Sequence, residues 1–198
     1  MRTGWIFMAI LAITRSAAAA DVTVYVTSDR GPLNYWTKTI ANSIFQKAGV
    51  AIDWRSRPPV TGAPGTWLRI ELAEHTPDEL LPGALAVSYP YAGCAKGVTV
   101  FFDRIRGMAR GLEHESALLA YVLVHEIAHV IQGVDRHSDA GVMKARWSAA
   151  DRDAIFERRL GFLEDDVLMM QQGLAGGRPF HSATLIGRSE SGTAVHPE

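Results

Sequence analysis

VHEIAHVIQGVDRH (residues 124–137) places His125 and His129 four residues apart in a run that is otherwise apolar from Ala117 to Ile131, except for Glu126. The apolar residues leave no polar stripe, so the spacing predicts a helix over Glu113 to Gln132 that lies in a protein interior. Gly133 suits its C-terminal cap. On a helix, positions i and i+4 share a face, so the two imidazoles point together and Glu126 projects at the neighbouring angle. Buried polar groups must be satisfied, and a buried glutamate needs a strong reason to be there.

Two imidazoles one turn apart can share a metal ion, and a glutamate beside them can reach water on that metal without being a ligand. This is the H-E-x-x-H arrangement of zinc hydrolases. A catalytic zinc usually takes three protein ligands. His137, beyond the turn at Gly133, can come back over the helix end. Asp135 is a rival, and Glu157 and Glu164 are more distant ones. His114 lies about a helix length upstream and is poorly placed for the same ion.

Outside this helix the chain alternates element types. VTVYVT, residues 22–27, reads as a strand, and Leu33 to Ala48 has helical spacing closed by Gly49. Val50 to Arg55, Trp67 to Ala73, Leu85 to Ser88 and Val98 to Asp103 read as strands, and Gly107 to Gly111 as a flexible link. Ser148 with Asp151 three residues on predicts a capped helix to Arg159, and Glu164 to Gln172 one more. The expected fold is α/β, a small mixed sheet packed on the long helix, with helices after it.

Composition restricts the partners. The chain has 198 residues, 47% hydrophobic and 21% charged, with a formal net charge of -1 and no basic cluster, so nucleic acid is not an expected partner. The N-terminus has the pattern of an export signal: Arg2, an apolar stretch from Trp5 to Ile13, then Ala18 and Ala20 as an A-x-A site. Residues 1–20 are read as a signal peptide, 21–172 as one domain and 173–198 as a flexible tail. The expected location is periplasmic or secreted, without stable membrane association after cleavage; oligomeric state is not legible. Cys94 is the single cysteine, so no internal disulfide is expected.

HEIAHVIQGVDRHSDAGVM, residues 125–143, resembles the metzincin signature, H-E-x-x-H-x-x-G-x-x-H followed by a methionine turn. The correspondence runs through His125, Glu126, His129, a glycine, His137 and Met143. The stretch from His137 to Met143 is similar to that of matrix metalloproteases, and Leu85 to Asp103 resembles their substrate-binding edge strand, loop and next strand. The likeness spans roughly Leu85 to Trp147. It implies a metzincin-like catalytic domain that binds Zn2+ through His125, His129 and His137. It further implies an endopeptidase acting on peptide or protein substrates, with a zinc-bound water activated by Glu126. Two departures stand out. Gln132 occupies the glycine position, and the third histidine is two positions late, so strict spacing selects Asp135. His137 is favoured because imidazole is the commoner partner of two histidines. No tyrosine follows Tyr121 to supplement the metal site, and Cys94 is misplaced for a cysteine switch. The alternatives are a zinc hydrolase of another amide or ester, and a non-catalytic exported zinc-binding protein.

Overall fold

Asn34, not Leu33, starts the first helix: its side-chain oxygen accepts from Thr37 N at 2.8 Å, so the helix begins at Tyr35. The computed structural model describes residues 20–28, 33–57, 67–80, 83–88, 97–176 and 193–194. The leader expected at the N-terminus lies outside these residues apart from Ala20, and Cys94 lies outside them too. In chain order the elements are β1 (Val22–Ser28), α1 (Tyr35–Lys47), β2 (Ile52–Arg55), β3 (Trp67–Ala73), β4 (Ala86–Ser88) and β5 (Gly97–Phe101). They continue with α2 (Phe102–Met108), α3 (Leu112–Gln132), α4 (Ala149–Phe156), α5 (Glu164–Ala175) and β6 (Thr193–Ala194).

The strands form one mixed sheet in the order β2-β1-β3-β5-β4-β6. β2, β1, β3 and β5 run parallel, β4 is antiparallel to β5, and β6 is antiparallel to β4. β1, β3 and β5 read in twos: Val22, Val24 and Val26, then Leu68, Ile70 and Leu72, then Val98 and Val100 are buried, while Arg69 and Glu71 face water. The inward side chains join α1 and α3 in one hydrophobic core. The mixed α/β architecture expected from the sequence is the one the chain adopts.

α3 is the centre of that core. Ser116 through Ile131 are all buried. The reason is its surroundings: α1, α2, α4, α5, β4 and β5 all pack against it, so no face is left for solvent. No helix among the described residues is long and apolar enough to cross a membrane. Gly133 ends α3 in the left-handed region (φ 69°) and returns its N–H to His129 O at 2.8 Å.

Three further expectations needed correction. The strand from Val98 stops at Phe101, and Phe102–Met108 is a helix. Phe102 and Ile105 are its buried residues, and a spacing of three lies on one face of a helix but on opposite faces of a strand. Asp103 then sits in the helix's first turn and accepts from Thr76 N and Oγ1 at 3.0 and 2.8 Å. The helix opened by Ser148 has the expected capping box with Asp151 but ends at Phe156, because the chain turns through a left-handed Arg158 (φ 59°). Finally, α5 continues to Ala175 through Gly173, which the sequence reading placed in the tail.

Gly173 belongs there for a steric reason. A Cβ at this position would lie 2.0 Å from Ile131 O, so α5 crosses the end of α3 backbone to backbone. Gly173→Ala is expected to lower unfolding stability by about 3 kcal/mol, the upper range for overpacking, because the obstacle is backbone and cannot rotate away. The shift of a urea unfolding midpoint measures it. An unchanged midpoint would mean that α5 does not cross so closely.

Candidate metal centre

His125 and His129 arrive from successive turns of α3, and His137 comes back from the chain that reverses at Gly133. Their ligand atoms all lie within 4.8 Å of one another, and among the described residues these three form the group able to hold a metal. His129 Nε2 lies 3.0 Å from His125 Nε2 and 3.3 Å from His137 Nε2. Asp135 is not in the group. Its charge acts on the His129 and His137 rings from nearby, raising both pKa values against the effect of burial.

The proton positions follow from the partners. His125 Nδ1 is 2.8 Å from Val142 O, and His129 Nδ1 is 3.0 Å from Val134 O. A carbonyl only accepts, so both Nδ1 atoms carry the hydrogen and donate it. Burial, then the neighbouring His129, holds His125 well below the ordinary histidine value. Burial, then His137, brings His129 down to about 4. Burial lowers His137 as well. His125 and His129 are therefore neutral at neutral pH and each bears a bare Nε2 lone pair.

Two bare nitrogens 3.0 Å apart repel and cannot hydrogen-bond to each other. A cation between them removes the conflict. Tetrahedral zinc with bonds of about 2.0–2.1 Å would hold two nitrogens about 3.3–3.4 Å apart, close to the spacing seen here. Neutral imidazoles with Nδ1–H fixed by backbone carbonyls are also the form that zinc takes. The residues present fit the metal.

Glu126 is fully buried, and neither of its carboxyl oxygens has a hydrogen-bond partner among the described residues. Burial pushes its pKa up to about 7, and the hydroxyl of Ser88 on β4 draws it part-way back without completing a hydrogen bond. An orphaned buried carboxyl is costly to stability, so its presence points to use.

A short turn holds this arrangement. Ser138 N donates to Met143 O at 2.8 Å, Ser138 bridges to Lys144, and Met143 is fully buried. Gly141 is required in this turn: its φ is 75°, and a Cβ there would lie 2.6 Å from Gly161 O. Trp147 meets the His125 ring edge-on, with centroids 5.8 Å apart.

Asp166 was not anticipated from the sequence. It is fully buried at the start of α5, accepts from Ser138 Oγ at 2.5 Å and Leu163 N at 3.1 Å, and lies 3.5 Å from Arg136 Nη1. It ties α5 to the residues on either side of His137. Three acids in a row, Glu164 to Asp166, read as a solvated helix start, and only the fold shows that one is inward. Glu157, offered as a distant ligand, is exposed, and His114 stacks on Phe156 with centroids 4.0 Å apart. Asp166→Ala is expected to weaken zinc binding about 10–100-fold while the fold survives, because a partner fixing the ligand loop is lost. A metal titration beside a circular dichroism melt checks it, and unchanged affinity would release Asp166 from this role.

No family model matches the chain, and no curated relative was found. Among solved structures it is similar to a zinc-dependent peptidase from Methanocorpusculum labreanum (strain Z), at 11% identity and a TM-score of 0.48, covering 75% of this chain and 99% of that one. The functional reading rests on the geometry of this chain and not on that likeness.

Proposed function

We propose that the chain is a zinc-dependent endopeptidase of metzincin type. The observation that supports it most is a buried carboxyl, Glu126, with no hydrogen-bond partner among the described residues, adjoining three imidazoles that converge on one point. A structural zinc closes its shell with four protein ligands and has no use for such a carboxyl. His125, His129 and His137 would hold the metal. Bound zinc supplies Lewis acidity, polarising a substrate carbonyl and acidifying water.

The protein's own residues do the rest. Glu126 accepts a proton from the attacking water and returns it to the leaving amine nitrogen. With its pKa pushed up to about 7, it can both take and give a proton at neutral pH. Extended substrate pairs with β4, the strand that carries Ser88 opposite Glu126, by backbone hydrogen bonds. The same proposal puts the protein outside the cytoplasm after cleavage near Ala20, on the support of the leader pattern.

Cleavage of casein by the chain from Asp21 onward tests the reading. Hydrolysis should stop on adding a chelator and return with zinc. A protein that binds zinc yet leaves casein and unstructured peptides intact would contradict the endopeptidase reading and favour another amide substrate or a binding role.

A further inference from the structure

β4 has two edges. One pairs with β5 through Ala86↔Val100, Val87↔Thr99 and Ser88↔Val98. The other is paired antiparallel with β6, through Val87↔Ala194 and Ser88↔Thr193. An open strand edge is a row of backbone donors and acceptors that takes up extended peptide. Ser88, on which β6 pairs, is also the residue whose hydroxyl faces the Glu126 carboxyl. Thr193 and Ala194 of the same chain thus lie on the strand beside the proposed general base.

We infer that the segment around Thr193–Ala194 is a built-in competitor that occupies the substrate edge of β4 and restrains the site until substrate displaces it. The inference rests on the peptidase reading. Reach does not limit it: residues 177–192 can span roughly 50 Å at about 3.3 Å per residue. A tethered segment acts at an effective concentration on the order of millimolar. Its sequence, SESGTA at 189–194, has only one side chain larger than threonine, Glu190. Such a peptide gains mainly backbone hydrogen bonds on the edge, so it binds weakly and yields to a substrate that also fills side-chain pockets. The expected restraint is therefore competitive and several-fold.

The test uses the full zinc-loaded chain with Thr193→Pro and Ala194→Pro together. In an antiparallel ladder one of two successive residues turns its N–H to the neighbour, and proline removes it whichever that is. Neither residue belongs to the metal centre. Amide exchange at the β4 edge, over Val87 and Ser88, should quicken at least about tenfold. KM for an unstructured peptide should fall about three- to tenfold with kcat unchanged. A labelled peptide of sequence SESGTAVHPE should bind the variant more tightly than the wild type by a similar factor. Equal exchange in the two proteins would overturn the inference, as would faster exchange with the same KM and the same peptide affinity. If neither protein cleaves peptide while the labelled peptide still prefers the variant, occupancy of the edge by this segment stands and the peptidase reading fails.

Discussion

Glu126→Gln is expected to keep zinc and lose hydrolysis by at least about 10²–10⁴-fold, the contribution typical of a positioned general base. Glutamine has the same shape, so the three histidines, which do not hydrogen-bond to Glu126, should keep their positions. What the substitution removes is an atom able to take a proton. The fold should not suffer. The native carboxyl is buried with no hydrogen-bond partner among the described residues, and replacing it with a neutral group relieves the cost of holding charge there. The thermal midpoint should be unchanged or higher. kcat measured beside metal content checks the prediction, and a variant that cleaves as fast as the wild type would remove Glu126 from the reaction.

His137→Ala should weaken zinc binding by on the order of 10³-fold, roughly a third of the 10–16 kcal/mol that a structural zinc site supplies. Asp135→Ala should weaken it by about tenfold at most, as a neighbour acting through charge. The contrast comes from placement: His137 Nε2 lies 3.3 Å from His129 Nε2, whereas Asp135 stays outside the cluster and only raises the pKa values of the rings. Competition titrations of both variants against a chromogenic chelator give the two losses. Equal or reversed losses would transfer the third position to Asp135.

The histidine pair was legible because helical spacing is arithmetic. Four residues put His125 and His129 on one face, and an apolar run long enough to be buried all round identified α3. The third histidine was harder. Beyond Gly133 the chain leaves the helix, and spacing no longer tells which of Asp135 and His137 returns; that depends on a left-handed turn and on Ser138 being tied to Met143 and Asp166. Strands β1 and β3 were plain from alternation, since each has one buried and one wetter face. α2 was missed because VTVFFD continues to look like a strand, and the helix shows only in the burial of Phe102 and Ile105 three residues apart. Gly173 was misread and Asp166 was passed over for a common reason. One looked like the start of a tail and the other carries no signal of its own among three successive acids, and both are set by what α3 and its following turn place opposite them. The pairing of Thr193–Ala194 on β4 has no local signal at all, since two small residues carry no period.

The proposed activity depends on His125, His129 and His137 holding one zinc ion. Elemental analysis of the purified chain from Asp21, supplied with zinc and set beside His129→Ala, tests it most directly. About one zinc per chain is expected in the wild type and near none in His129→Ala. A well-folded wild type that takes up no zinc would contradict it, leaving VHEIAHVIQGVDRH as a core helix with buried histidines.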